Sequence, residues 1–333
     1  MPVRDVLIIG AGPSGLATAI AAKQRGLDYV LVEKGVLVDS IFHFPTYMIF
    51  FTTPELLEIG GLPLISPYEK PTRLEALRYY RRVVDTLGLQ ISFHEEVLAI
   101  EREDDVFVVT TQTVAADTGP HTRRVRHARA VVLAIGYYEH PNFLGVPGED
   151  LPHVSHYYTD AHPYYRKRVV IVGGKNSAAE AALELFRAGA MPTIVHRRAT
   201  LGDSIKYWVR PDIENRIKAG AVGARFESRV VEISPSFVTI EGPDGVREQL
   251  PAEAVFLLTG YTPDVDLMRR AGIHCDPETL APDISPETFE TNVPNLFIVG
   301  GAMAGRATGS IFIENGRFHG EKAIAALAAT LRG

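Results

Sequence analysis

The chain has 333 residues, of which 46% are hydrophobic and 22% are charged, and its formal net charge is -6. This length is typical of two domains, and the composition is typical of an α/β protein rather than a disordered or fibrous one. No Lys/Arg run is long enough to indicate a nucleic-acid partner, and no apolar run approaches the ~20 residues of a membrane helix. A strand begins almost at the first residue and leaves no room for a signal peptide, so we expect a cytoplasmic protein with neither partner.

The first predicted elements are an apolar strand at residues 6–9, a glycine-rich turn, a helix to about residue 25 and a second strand at 29–33. This βαβ pattern opens dinucleotide-binding folds. In the turn, Gly10 permits a tight bend, Gly12 admits a pyrophosphate and Gly15 lets the helix pack on the strand. Pro13 and Ser14 complete the turn, at a helix start whose free N–H groups favour phosphate.

Glu33 ends the second strand, 18 residues after Gly15. A carboxylate at this position can accept hydrogen bonds from the hydroxyl groups of a ribose. Strand, turn, helix and acid together predict a dinucleotide site here, with Lys34 beside it.

Further strands are predicted at residues 93–101, 106–111 and 129–135, with a helix from about 73 to 87 that carries Tyr79 and Tyr80 into the core. We interpret the basic cluster Arg123, Arg124 and Arg126 as part of a solvated hairpin.

Several histidines fall within one proline-containing segment, namely His140, His153, His156 and His162. No cluster of carboxylates or thiolates accompanies them, so we expect no bound metal and interpret the segment as a linker between domains.

A second βαβ pattern begins with an apolar strand at residues 169–172 and continues with the turn Gly173-Gly174-Lys175-Asn176-Ser177. The strand that follows its helix ends in His196-Arg197-Arg198, with no acid. An acid there would repel a 2′-phosphate, whereas Arg binds one through a planar fork. The second unit is therefore predicted to bind NADPH.

The remaining predicted elements are strands at 224–232, 237–241, 254–259 and 296–299, and a long helix from about 313 to 331. Cys275, the one cysteine, lies in a predicted surface turn. A single cysteine excludes an internal disulfide, a cysteine-rich zinc site and a Cys-x-x-Cys dithiol.

Two dinucleotide sites in one chain are explained by hydride transfer from NADPH to a flavin, so the acid-bearing first site is predicted to bind FAD. The predicted fold is α/β, with two Rossmann-like dinucleotide-binding domains and the NADPH domain inserted in the FAD domain. We expect the FAD domain at 1–138 and 262–333, and the NADPH domain at 139–261.

Three stretches, at 131–136, 259–264 and 295–301, resemble the thioredoxin-reductase-like flavoproteins. Many of these relatives have an Asp that contacts the flavin ribityl chain at the position of Gly301. Four more stretches, at 44–60, 176–178, 204–211 and 311–320, resemble the bacillithiol disulfide reductase family. This resemblance implies an enzyme that reduces the disulfide of a low-molecular-weight thiol with NADPH and FAD, as a homodimer or higher oligomer.

The resemblance also implies which residues contact the cofactors. An isoalloxazine pocket is expected between residues 44–53 and Ile311-Phe312, with N–H groups at the last helix stabilising negative charge on the reduced ring. By their position after the predicted NADPH-binding strand, Lys206, Tyr207, Trp208 and Arg210 form either a lid over the nicotinamide or a wall of the substrate site. The alternative for Trp208 is an interdomain or dimer contact. Outside the two glycine turns and their strand ends, the predicted contacts are Phe44, Thr52, Val97, Ala134, Gly136, Gly260, Gly300, Gly301, Ile311 and Phe312.

One position departs from the bacillithiol disulfide reductase pattern: the family has Cys where this chain has Ser14. Serine cannot form a mixed disulfide, because thiol exchange requires a thiolate. Either the disulfide is reduced without a protein thiol, or the acceptor is different. The alternatives are a reductase of ferredoxin, flavodoxin or a quinone, and a flavin monooxygenase or oxidase.

Overall fold

The computed structural model describes residues 2–114 and 122–332, which divide into two compact units. The first unit comprises the described residues of Met1–Phe44, Met48–His140 and Tyr261–Gly333, and the second comprises Pro45–Tyr47 and Pro141–Gly260. None of the described helices has the length and apolar character needed to span a membrane.

Both units contain strands and helices. In chain order over the described residues, the strands are β1 (Val3–Ile9), β2 (Tyr29–Val32), β3 (Ile91–Ser92), β4 (Glu95–Glu103), β5 (Val106–Thr113), β6 (Arg123–Leu133), β7 (His140–Pro141), β8 (Val154–Ser155), β9 (Arg168–Val172), β10 (Met191–Val195), β11 (Gly223–Arg225), β12 (Arg229–Ile233), β13 (Phe237–Glu241), β14 (Arg247–Pro251), β15 (Ala254–Leu257), β16 (Tyr261–Thr262) and β17 (Leu296–Ile298). The α-helices are α1 (Pro13–Gln24), α2 (Asp39–Phe42), α3 (Arg73–Leu87), α4 (Asn176–Arg187), α5 (Arg210–Lys218), α6 (Val265–Arg270), α7 (Ile313–Gly316) and α8 (His319–Arg332). Short 3₁₀ helices cover Pro54–Leu57, His162–Tyr164 and Gly300–Ala304.

The main sheet of the first unit has the strand order β3-β2-β1-β6-β5-β4, and β17 also pairs with β6. Strands β2 and β6 flank β1 in parallel, whereas β5 is antiparallel to β4 and β6. The long β6 pairs with β5 along its first half and with β17 near its end. The carboxyl ends of β1, β2, β6 and β17 therefore meet at one edge, where ligands bind in open α/β sheets.

Alternate residues of β1 belong to two cores, one on each face of this sheet. On one face, Val6 and Ile8 pack with α1, α3 and α8. On the other face, Leu7 and Ile9 pack with α6 and with Cys275. The lone cysteine thus lies on the face opposite α1.

The helix predicted near residues 73–87 is confirmed as α3. The Thr72 side chain accepts the Glu75 N–H, and the Glu75 carboxylate accepts the Thr72 N–H, which forms a capping box at its start. Tyr79 and Tyr80 are buried as predicted. The Tyr80 hydroxyl donates to the Leu57 carbonyl at 3.0 Å, so α3 also holds the turn that precedes it.

The second unit has a parallel sheet in the order β11-β10-β9-β15-β8 and a separate antiparallel sheet, β12-β13-β14. Ile171 of β9 packs with α4 and α5, whereas Val170 and Val172 pack with the antiparallel sheet. The predicted α/β fold class is confirmed.

Two predicted elements are wrong in their continuity. The strand expected at 224–232 is divided between β11 and β12, where Glu227 adopts a left-handed φ of 51°. The strand expected at 93–101 is continuous as β4 and begins two residues later, after His94, which has a φ of 55°. The long C-terminal helix is α7 followed by α8, because Phe318 N–H bonds to the Asn315 carbonyl and tightens the turn between them.

The predicted solvated hairpin is also wrong at Arg126, which lies on β6 and pairs with the buried Glu95 of β4. The Arg126 Nε and Nη2 atoms each donate to a different Glu95 oxygen at 2.6 Å. Ser92 and Thr111 hydroxyls donate to the same carboxylate. Burial would raise the pKa of Glu95, but these hydrogen bonds outweigh it and lower the pKa to about 2.

We expect Glu95→Gln to lower the free energy of unfolding of the first unit by about 3 kcal/mol, because Arg126 is then left without its counter-charge. Urea denaturation followed by circular dichroism at pH 7 measures this loss. The control is Asp28→Asn, which breaks an exposed ion pair with Arg4 and should cost less than about 1 kcal/mol. The lowered pKa of Glu95 stabilises the folded protein at pH values above 4.5, the ordinary pKa of a Glu carboxyl. The difference in free energy of unfolding between Glu95→Gln and wild type should therefore shrink as the pH falls from 4.5 towards about 2. Equal losses in Glu95→Gln and Asp28→Asn would contradict the prediction.

Candidate functional site

The first glycine turn brings α1 against the end of β1. Gly10 has a φ of 102°, and a Cβ atom there would lie 2.5 Å from the Ala134 carbonyl oxygen. A Cβ atom on Gly15 would lie only 1.9 Å from the Gly10 carbonyl oxygen. Neither position can carry a side chain without moving α1 or β6.

Gly12 has the opposite surroundings, since a Cβ atom there would meet nothing within 4 Å. It caps α1, whose first residue is Pro13. The first N–H groups of a helix have no acceptor within the helix, and the open position of Gly12 lies beside them. This geometry is compatible with a pyrophosphate over the turn.

Glu33 joins the end of β2 to the glycine turn. Its carboxylate accepts the Ala11 N–H at 2.7 Å and the Gly35 N–H at 2.8 Å. Burial raises the pKa of Glu33, although both N–H groups oppose that rise. A carboxylate accepts about four hydrogen bonds, so capacity remains for a ribose hydroxyl. Lys34 lies 2.5 Å from the Glu139 carboxylate, which is its ion-pair partner.

Ser14 faces the interior of the first unit. Its hydroxyl donates to the Gly316 carbonyl at 3.3 Å, and a Cβ atom on Gly300 would lie 2.5 Å from Ser14 Oγ. Ser14 therefore lies between the glycine turn, the turn at Gly300 and the end of α7.

The turn at Gly300 involves two side chains that the sequence reasoning missed. Gly300 N–H donates to His319 Nδ1 at 3.2 Å. Burial, followed by Lys322, lowers the pKa of His319, so this nitrogen remains an acceptor at neutral pH. A Cβ atom on Gly301 would lie 2.8 Å from the Tyr137 ring. An Asp side chain at position 301 would overlap that ring.

The other predicted flavin contacts are spread over the first unit. Phe44 packs edge-on against Tyr138 at 5.0 Å, and Thr52 is buried. Val97 packs in the core on the face opposite α1. Ala134 contacts the first glycine turn, Gly136 follows β6, and Ile311 precedes α7.

Phe312, just before α7, is 54% exposed. Its N–H donates to Asn315 Oδ1 at 2.8 Å, so this group already has an acceptor within the turn. Stabilisation of a reduced ring by the N–H groups at the last helix stays a prediction.

The second glycine turn also permits close packing. A Cβ atom on Gly173 would lie 2.7 Å from the Leu258 carbonyl oxygen, and one on Gly174 would lie within 2.5 Å of the His196 ring atoms. Lys175 and Ser177 are exposed at the start of α4. Gly260 ends the second unit beside Asn142.

His196 covers this turn as a neutral ring. Burial, then Arg198 and Arg197, lowers its pKa below the usual 6.5, so it supplies no positive charge at pH 7. Its buried Nε2 has no hydrogen-bond partner among the described residues. An unpartnered polar atom over a glycine turn fits a polar ligand there.

Arg197 and Arg198 are exposed at the end of β10. Arg197 lines a cavity of about 330 Å³ together with Arg229, Glu227 and Glu241. The basic charge at this strand end therefore comes from the two arginines rather than from His196.

Comparison with known proteins covers nearly the whole chain. The model of the family described as pyridine nucleotide-disulphide oxidoreductase matches residues 7–300. Bacilliredoxin reductase Bdr of Bacillus subtilis (strain 168) is 40% identical over 97% of both chains. The solved bacillithiol disulfide reductase Bdr of Bacillus cereus matches with a TM-score of 0.95 and 37% identity, over 99% of this chain and 100% of that one. A ferredoxin–NADP reductase of Ignicoccus hospitalis is 25% identical over 90% of both chains.

These matches confirm the resemblance to the bacillithiol disulfide reductases. With two glycine turns at strand ends and whole-chain likeness to named reductases, the chain belongs to the pyridine nucleotide-disulphide oxidoreductase family and is an oxidoreductase.

Proposed function

We propose that this enzyme uses FAD and NADPH to reduce the disulfide of a low-molecular-weight thiol of the bacillithiol type. The observation that carries the proposal is the whole-chain likeness to Bdr proteins. The balanced reaction is one disulfide, one NADPH and one proton to two thiols and NADP⁺. The likeness also supports a homodimer or higher oligomer.

In this proposal the first unit is the FAD domain. The open turn at Gly12 receives the pyrophosphate, and Glu33 accepts from the adenosine ribose. Bound FAD supplies two-electron transfer between the nicotinamide and the acceptor.

The second unit is then the NADPH domain. Lys175 and the N–H groups at the start of α4 favour the pyrophosphate, and His196 Nε2 offers a further polar contact. Arg197 and Arg198, exposed at the end of β10, would bind the 2′-phosphate.

No thiol of this chain is suited to form a mixed disulfide with the substrate. Ser14 occupies the loop position of the family cysteine, and Cys275 lies on the opposite face of the sheet, where burial raises its pKa. The proposal therefore requires a disulfide reduction that proceeds without a protein thiolate.

A second candidate is an NADPH reductase of a ferredoxin, a flavodoxin or a quinone. The absence of a dithiol favours it, as does the likeness to a protein named ferredoxin–NADP reductase.

The deciding experiment is anaerobic. The purified FAD enzyme is reduced with one equivalent of NADPH and mixed with bacillithiol disulfide, and the visible flavin absorbance is followed. We expect rapid reoxidation with the disulfide and none with bacillithiol itself, which is the control. Flavin that stays reduced with the disulfide but reoxidises with ferredoxin, flavodoxin or a quinone would favour the second candidate.

Replacing both Arg197 and Arg198 with Ala should raise the KM for NADPH and reduce the preference over NADH by roughly tenfold or more, because each charge-assisted hydrogen bond contributes about 1.5–3 kcal/mol. Steady-state kinetics with both nucleotides measures the preference. The control is Arg216→Ala, which removes an exposed arginine of α5 paired with Asp212. An unchanged preference would refute the assignment to the 2′-phosphate.

Ser14→Cys tests where the disulfide docks. If the substrate lies over the first glycine turn, a thiol at this position should raise disulfide turnover, because it can exchange with the substrate. Ser14→Ala is the matched control, since it loses the bond to Gly316 without gaining a thiol. No gain in a Ser14→Cys enzyme that retains FAD would count against docking at this turn.

A further inference from the structure

The segment that follows the two arginines returns to the second glycine turn and is tied to it by hydrogen bonds. We call this segment, residues 201–206, the clasp. Gly202 N–H donates to the Gly174 carbonyl at 2.7 Å. The Asn176 side chain then bonds the clasp twice: its Oδ1 accepts the Lys206 N–H at 2.8 Å, and its Nδ2 donates to the Ser204 carbonyl at 2.9 Å.

Lys206 fastens the end of the clasp to α4. Its side chain is only 7% exposed, and Nζ donates to Glu180 Oε1 at 2.7 Å. Glu180 lies one helical turn after Asn176, so both contacts fall on the same side of α4. Leu201 and Ile205 of the clasp are buried in the core beneath α4. Apolar packing and polar bonds thus fix the same short segment.

The polar contacts of Asn176 and Lys206 distinguish both residues from ligands of a phosphate. The Asn176 amide is engaged with the clasp, and the Lys206 ammonium is buried against a carboxylate. Neither side chain supplies a free charge to the turn. Both instead fix the position of α4, whose first N–H groups are the phosphate-binding groups of the proposed NADPH site.

We propose that Asn176 and Lys206 are positioning residues, which hold the second glycine turn in the shape that binds the pyrophosphate of a pyridine nucleotide. This inference rests on the proposed binding of NADPH by the second unit. The pyrophosphate is common to NADPH and NADH, whereas the 2′-phosphate belongs to NADPH alone. Loosening the clasp therefore weakens the binding of NADPH and of NADH by the same factor. Removal of Arg197 and Arg198, in contrast, weakens mainly the binding of NADPH.

The test compares Lys206→Met with Lys218→Met in the full-length FAD enzyme. Both remove one ammonium group and keep the length of the side chain, but Lys218 is exposed at the end of α5. The rate of flavin reduction is measured in a stopped-flow instrument against NADPH and against NADH, which separates the dissociation constant from the limiting rate. Calorimetric titration with NADP⁺ gives a binding constant independent of turnover.

For Lys206→Met we expect the dissociation constants of NADPH and NADH to rise together, on the order of fivefold to tenfold, as for the loss of one or two hydrogen-bonded anchors. The limiting rate of flavin reduction and the flavin spectrum of Lys206→Met should stay unchanged. Lys206→Arg should keep the affinity for both nucleotides, and Lys218→Met should bind them as the wild type does. Asn176→Ala, at the exposed start of a helix where Ala is well tolerated, should show the same joint loss and serves if Lys206→Met does not fold.

Unchanged affinity for both nucleotides in folded Lys206→Met and Asn176→Ala enzymes would overturn the inference. A loss confined to NADPH would also overturn it, because Lys206 would then act at the 2′-phosphate. If wild-type enzyme bound neither nucleotide, the NADPH assignment itself would fall, and the inference with it.

Discussion

The approach of α1 to the end of β1 is the constraint on which the candidate FAD site depends. A Cβ atom on Gly15 would overlap the Gly10 carbonyl, so α1 and β1 can approach this closely only with glycine at position 15. Gly320 of α8 allows a similarly close contact with α1, because a Cβ atom on Gly320 would lie 2.3 Å from Thr18 Oγ1 of α1. Packing on both sides fixes the start of α1 beside the open position of Gly12, where the free N–H groups of a helix start favour an anion.

Close packing of this kind can be predicted from the sequence because it depends on residues that are near one another in the chain. The glycine spacing, the apolar strands and the start of α3 each follow from local chemistry, and the fold class follows from the repeated βαβ pattern. The two arginines at the second strand end can be recognised in the sequence, but the neutral state of His196 cannot, because its burial over Gly174 depends on tertiary packing.

The other missed features share a cause. Arg126 lies near Arg123 and Arg124 in the sequence but pairs with Glu95, which is brought beside it only when β4, β5 and β6 assemble. At the break between α7 and α8, Arg317 likewise makes distant contacts, because it donates to the carbonyls of Glu55 and Glu58. Contacts over such separations leave no periodicity that a sequence pattern can show.

The contact between Gly301 and Tyr137 has a consequence for how this family can diversify. The side chains at the two positions occupy the same volume. A bulky ring at 137 requires the smallest residue at 301, and a carboxylate at 301 requires a smaller side chain at 137. A larger residue at 301 alone would overlap the ring at 137, and a smaller residue at 137 alone would leave a cavity. The two residues should therefore change as a pair. In this chain the Tyr137 ring fills the volume beside Gly301, and a carboxylate fits there only if that ring moves.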